Sequence, residues 1–175
     1  MNILILNGST RENGNTVQLI EAFKSGLPQD AVCLQVDLYD LLPMPCVACG
    51  ACMAENMCRF SDLDETDAFL HEADVIVWAL PVYNYSVPAP VKALLDRFQR
   101  YYEAVDVRKE TVFEKKDRPA VLLLSAGRTG LYSIDIICRT VYRKSADLSN
   151  DPPQHGNFEE FFFRHNTVGP LWVCA

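Results

Sequence analysis

The sequence predicts a doubly wound α/β fold, a five-stranded parallel sheet with helices on both faces. Three observations carry this. Short apolar runs at Ile3–Leu6, Val75–Leu80 and Val121–Leu124 have the length and β-branched content of strands buried on both sides. Segments with apolar residues at helical spacing lie between them. Turn-forming residues close each run, at Asn7-Gly8-Ser9, at Pro81 and at Ser125-Ala126-Gly127.

The first strand, Asn2–Leu6, leads into a polar, Gly-bearing loop, Ser9–Thr16. From Thr16, the residues Val17, Leu19, Ile20 and Phe23 mark a helix, which Gly26 and Pro28 stop. Ala31–Leu38 is the second strand. Leu41–Ser61 fits neither period and carries Pro43, Pro45 and four cysteines. Asp62–Glu72 resumes a helix, with Asp62 as its cap and acidic residues in its first turn. Asp74–Leu80 is the third strand and runs into the loop Pro81–Pro88. Ala89–Tyr102 is a helix with Val91, Leu94, Leu95 and Phe98 on one stripe, and Val105–Asp117 reads as charged and exposed.

Pro119–Leu124 is the fourth strand, and Leu131–Lys144 is a helix with Ile134, Ile137, Cys138 and Val141 inward. Ser145–Asn166 contains Pro152-Pro153, Gly156 and the run Phe158–Phe163, and reads as a long loop with a partly buried aromatic patch. Val168–Cys174 is the fifth strand. Strands alternating with helices imply right-handed crossovers. With no repeat and no linker, residues 1–175 read as a single domain with a cysteine-rich insertion at about 43–61.

The balance of 16 Lys and Arg against 23 Asp and Glu gives a net charge of −7 and a pI near 4.9. That argues against a nucleic-acid binder or a protein of anionic membrane surfaces. No run reaches the length of a membrane span, and the N-terminus has no basic stretch or cleavage site, so the expectation is cytoplasmic. Seven cysteines, an odd number, speak against a disulfide framework there.

In such a sheet, ligands sit at the carboxyl ends of the strands. After strand one, Ser9, Asn15 and Thr16 offer hydroxyl and amide groups, Arg11 a forked cation, and the helix start free N–H groups, a set suited to a phosphate. The loop lacks G-x-x-x-x-G-K-[ST] and G-x-G-x-x-G, which excludes the usual triphosphate and dinucleotide motifs. An ordinary capped turn is the alternative. After strand three, Tyr83 and Tyr85 offer flat surfaces for a ring system, and main-chain groups beside Pro81 and Asn84 can bond a heterocycle edge. Packing of the tyrosines on the next helix is the alternative.

The motifs N-G-S-x-R-x-x-G-N-T at 7–16, P-x-Y-x-x-S-x-P-x-x-x-K-x-x-x-D at 81–96 and S-A-G at 125–127 resemble those of the flavodoxin-like NAD(P)H-dependent FMN reductase superfamily. The resemblance covers most of residues 1–130 and implies strand order 2-1-3-4-5. It also implies that Ser9, Arg11, Asn15 and Thr16 hold the FMN phosphate, and that Pro81, Val82, Tyr83, Asn84, Ser125, Ala126 and Gly127 line the isoalloxazine ring. Lys92 and Asp96 match too and read as helix packing and capping. The helix that usually follows the fifth strand is absent, so a partner subunit is expected to cover that face, in a homodimer or homotetramer. Flavin sites of the superfamily usually lie at subunit interfaces, which would let Tyr101, Tyr102 or Phe161 reach a neighbour's ring; packing within the chain is the nearer reading for each.

The second strong motif is Cys46-x-x-Cys49-x-x-Cys52-x₅-Cys58. Soft thiolates so closely spaced suit an iron–sulfur cluster, and the small Gly50 and Ala51 let the chain wrap closely. The run resembles the compact motif of the iron–sulfur flavoproteins, in which four such cysteines bind a [4Fe–4S] cluster. Structural zinc, a redox-active thiol pair and plain buried cysteines remain alternatives. Cys33, Cys138 and Cys174 read as small buried hydrophobes. No general acid or base stands out; His71, His155 and His165 fall outside the motif loops and read as surface or structural.

FMN carries electron pairs or single electrons, and a [4Fe–4S] cluster single ones. One chain with both is expected to couple two-electron and one-electron transfer, with NAD(P)H or a small redox protein as donor. An NAD(P)H-dependent reductase of quinones, azo dyes or flavins without a working cluster is the nearest alternative. A non-catalytic flavodoxin-like binding module is the alternative from another class.

Overall fold

The computed structural model describes residues 1–113, 118–127, 137 and 141, and the backbone of 160–163 and 171–174. Four parallel strands form the heart of the sheet: β1 (Asn2–Asn7), β2 (Val32–Asp37), β3 (Val75–Pro81) and β4 (Ala120–Ser125), in the order β2-β1-β3-β4. β1 is central because every residue from Ile3 to Asn7 is buried and so demands cover on both faces. The period-two alternation divides the core. Ile3, Ile5, Val77, Ala79 and Leu123 meet Ile20 of α1 (Asn15–Ser25) on one face. Leu4, Leu6, Trp78, Leu80, Leu122 and Leu124 face the other way. There they pack against Leu70 of α4 (Asp64–Glu72) and Val91, Leu94 and Leu95 of α5 (Ala89–Arg97). Ile137 and Val141 are helical and buried in this second cluster; the other inward residues expected of that helix, Ile134 and Cys138, lie outside the described residues.

The predicted five-stranded parallel sheet in the order 2-1-3-4-5 is corrected beyond β4. A strand Glu160–Phe163 (β5) arises within the stretch expected to be a loop, and the last strand is Leu171–Cys174 (β6). β6 pairs with β4 antiparallel, Leu122 opposite Cys174, and β5 pairs with β6 antiparallel, so the order is β2-β1-β3-β4-β6-β5. Chain length explains the β5–β6 pairing: 7 residues separate the two strands, too few for the crossover that a parallel pair needs. The rest of 145–166 lies outside the described residues.

Between the strands, α2 (Leu38–Leu41) and α3 (Ala51–Ala54) are single turns in the segment that fitted no period. The helix expected over Ala89–Tyr102 is divided. At Phe98 the backbone tightens to an i−3 bond with Leu95, α6 (Gln99–Tyr102) follows, and Glu103–Val107 then widens into a π turn closed by the Arg108 N–H on the Glu103 carbonyl. The segment after it is not wholly exposed: Phe113 and Arg118 are buried. No described helix is long and apolar enough to cross a membrane.

Candidate cofactor site and cysteine pocket

The register sets Asn7 beside Ala79 and Pro81 beside Ser125, so the loops after β1, β3 and β4 leave from one edge. Gly8 turns the chain there, its N–H bonded to the Ala79 carbonyl at 2.9 Å. A Cβ on Gly8 would lie 2.8 Å from Val91 Cγ2 and 3.0 Å from Leu80 Cδ2, so the close approach requires glycine. The loop is braced from within: Asn7 Oδ1 accepts from the Ser9 N–H, Ser9 Oγ from the Arg11 N–H, and the Arg11 carbonyl from the Gly14 N–H. Asn7 Nδ2 donates to Asp37 at the end of β2. Helix α1 starts at Asn15 with no side-chain cap and no acidic residue in its first turn, so no side chain of that turn offsets the positive end of the helix.

Thr16 is buried, and its Oγ1 lies 2.7 Å from Ser125 Oγ, joining the β1 loop to the end of β4. The Ser125 carbonyl accepts from the Val82 N–H at 2.8 Å and so holds the β3 loop as well. Tyr83–Ser86 form a two-residue hairpin turn with Asn84 at φ 49° and Tyr85 at φ 62°. Tyr85 is 77% exposed, and a large residue seldom adopts this backbone when nothing packs it in place. The structure thus gathers Ser9, Thr16, Pro81, Val82 and Ser125 through bonds or strand register; Arg11, Asn15, Tyr83, Asn84 and Gly127 stand exposed around them, with Ala126 half-buried. Lys92 and Asp96 pair with each other on the exposed side of α5.

The second site lies at α3, α5 and α6. Cys46, Cys49, Cys52 and Cys58 all line one cavity of about 300 Å³, which Met53, Met57, Phe60, Arg97, Arg100 and Glu103 help to wall. Cys46 and Cys49 are exposed, and Cys52 and Cys58 half-buried. Burial pushes the Cys52 thiol up, with Glu103, Cys46 and Cys49 adding to it and a backbone hydrogen bond opposing it. Leu42, Ala48 and Gly50 all take left-handed backbone in or beside this segment. Among the described residues, the five non-glycine residues with positive φ are Leu42, Ala48, Asn84, Tyr85 and Lys109; Ala48 lines the cysteine cavity, and Asn84 and Tyr85 lie in the loop after β3.

Two arginines that the sequence reading did not single out organise the pocket. Arg97 is 4% exposed; it donates to the Met44 and Phe60 carbonyls and pairs with Asp62 at 2.9 Å. Asp62 therefore does not cap α4, as expected, but accepts from the Met44 N–H and from Arg97. Burial alone would raise its carboxyl; these donors hold it below the usual carboxylate range. Arg108, set by the π turn, donates to the Cys52 and Met53 carbonyls while Glu110 grips it from behind. One signal for Arg97 was available, a charge three residues after Leu94 on an apolar stripe. None marked Arg108. Tyr101 packs within its own chain and does not reach toward a neighbouring subunit: it is fully buried, bonded to Asp67 and packed on Phe98 and Phe113.

Four thiols on one cavity are a soft donor set of the kind that iron–sulfur clusters and zinc take. Among the described residues no three His, Cys, Asp or Glu side chains converge to hold one metal ion. The Arg97 Nε is buried without a hydrogen-bond partner, an orphaned donor in a residue that lines this pocket.

Four parallel strands in this order, with a braced polar loop after β1, define a flavodoxin-like α/β protein. The chain belongs to the NADPH-dependent FMN reductase family, whose sequence model matches residues 1–148. It is 32% identical over 136 residues to an iron–sulfur flavoprotein of Methanosarcina thermophila, covering 74% of this chain and 66% of that one. It is also 32% identical over 99 residues to an iron–sulfur flavoprotein of Methanocaldococcus jannaschii, covering 55% and 51%. The match thus spans about half to two thirds of the length of these curated relatives. The crystal structure of an azoreductase from Bacillus anthracis shares the fold, with a TM-score of 0.60 at 18% identity over 85% of this chain and 81% of that one.

Proposed function

We propose that this chain is an FMN-dependent oxidoreductase that couples two-electron and one-electron transfer through FMN and an iron–sulfur cluster held by Cys46, Cys49, Cys52 and Cys58. The observation that carries the reading is that all four cysteines line one cavity. Bound FMN would supply hydride and single-electron chemistry, and the cluster would supply single-electron steps. Ser9, Arg11, Asn15 and Thr16 are assigned to the phosphate. Thr16 has one proton and already shares a bond with Ser125, so for Thr16 to donate to a phosphate, Ser125 must donate to Thr16. Pro81, Val82, Tyr83, Asn84, Ser125, Ala126 and Gly127 are assigned to the ring. A nicotinamide or a small redox protein is the proposed donor, a second copy of the chain the proposed partner, and the cytoplasm the proposed compartment.

A second reading, an NAD(P)H-dependent quinone or azo reductase without a cluster, is supported by 32% identity over 112 residues to an FMN-dependent NADH:quinone oxidoreductase of Pseudoalteromonas atlantica. Anaerobic titration separates the two. Under the first reading, a low-potential one-electron donor reduces both chromophores, and Cys49→Ser removes only the signal of the cluster. Bleaching of the flavin by NADPH, with no difference between wild type and Cys49→Ser, would establish the second.

A further inference from the structure

We propose that Arg97 is the positioning residue that closes the cysteine segment into a ligand ring and places a cation beside it. This rests on the reading of Cys46, Cys49, Cys52 and Cys58 as cluster ligands. One guanidinium holds both ends of the segment: Nη1 donates to the Met44 carbonyl at 3.1 Å and Nη2 to the Phe60 carbonyl at 3.0 Å. Met44 lies two residues before Cys46, and Phe60 two residues after Cys58. Asp62 completes the neck, accepting from Arg97 and, at 2.8 Å, from the Met44 N–H. The Phe60 ring stacks against the guanidinium, 5.3 Å from its centroid.

This closure removes, ahead of loading, the entropy that a free segment would lose on wrapping a ligand. Lysine cannot replace it, because a single ammonium lacks the planar fork that spans two carbonyls and a carboxylate. The Nε–H is the remaining clue. A buried donor without an acceptor costs stability, and thiolate or sulfide sulfur would accept its hydrogen bond. The arginine thus has a structural task met by Nη1 and Nη2, and a free donor for a sulfur-rich anion.

The test uses the full FMN-loaded chain as wild type, Arg97→Lys and Arg97→Met, each loaded anaerobically with ferrous iron and sulfide. Wild type is expected to retain about four iron per chain after desalting. Both variants are expected to retain less than half of that with FMN content unchanged. The second readout needs no metal: iodoacetamide labelling of the iron-free protein, followed residue by residue. Opening of the neck is expected to speed labelling of the half-buried Cys52 and Cys58 by about tenfold, leaving Cys33 unchanged. If Arg97→Met loses FMN, Arg97→Lys, which keeps the charge, decides. Full iron retention with unchanged labelling overturns the proposal. Wild type that takes up no iron while the variants label faster overturns the cluster reading and the counter-cation role but supports the neck closure.

Discussion

The bond between Thr16 and Ser125 joins residues 109 apart in sequence and ties the β1 loop to the end of β4. Its energetics can be worked through. Ser125→Ala leaves the Thr16 hydroxyl buried and unpartnered, a loss of about 1–3 kcal/mol. Thr16→Val leaves Ser125, which is half-buried and able to find water, so the loss is nearer the net value of one hydrogen bond, about 0.5–1.5 kcal/mol. The double variant removes both hydroxyls and orphans neither. It is therefore expected to be more stable than the sum of the singles by about 1 kcal/mol. Urea unfolding of the FMN-free proteins measures this, with melting points moving about 2–4 °C per kcal/mol for a chain of this size. The same four proteins titrated with FMN report whether the bond also preorganises the loop. Additivity of the two losses within about 0.3–0.5 kcal/mol would refute the coupling.

Three further outcomes follow from the same geometry. Gly8→Ala forces a methyl against the buried Val91 and Leu80 side chains; the expected loss is about 1–3 kcal/mol, read by urea midpoint, and an unchanged midpoint would contradict the close approach. Asp62 is held below its ordinary pKa by the Met44 N–H and Arg97, against its own burial. A carboxyl with a lowered folded-state pKa contributes stability above its unfolded value, near pH 4, that is lost as pH falls through the folded value. Asp62→Asn should therefore flatten the fall in unfolding midpoint below about pH 4, and an unaltered acid limb would rule the linkage out. Tyr85→Gly relieves a left-handed backbone at an exposed turn and should raise stability by about 1 kcal/mol or more. If Tyr85 covers a flavin ring, the same change weakens FMN binding; fluorescence titration against the thermal melt reads both.

The sequence exposed those parts of the fold in which local pattern and burial agree. The apolar runs of β1, β3 and β4 are buried on both faces, so their pattern is nearly continuous and unmistakable. Gly26 ends α1 as read. Legibility failed where long-range contacts decide. Asp62 looked like a helix cap because helix starts and buried ion pairs use the same residue, and only the arrival of Arg97, 35 residues on, distinguishes them. The π turn that delivers Arg108 to the Cys52 carbonyl has no periodic signature in five residues. The direction of β6 depends on its pairing with β5, whose Phe-rich sequence reads equally well as an aromatic patch. The cysteine motif was plain in spacing, whereas its neck could be seen only in the folded chain.

Iron, acid-labile sulfide, zinc and FMN, assayed on one anaerobically purified sample together with its absorption spectrum, decide whether Cys46, Cys49, Cys52 and Cys58 hold a cluster beside FMN. Flavin bands over a broad brown shoulder, with about four iron and four sulfide per FMN and no zinc, are expected. Flavin bands with no iron or sulfide would contradict the cluster reading.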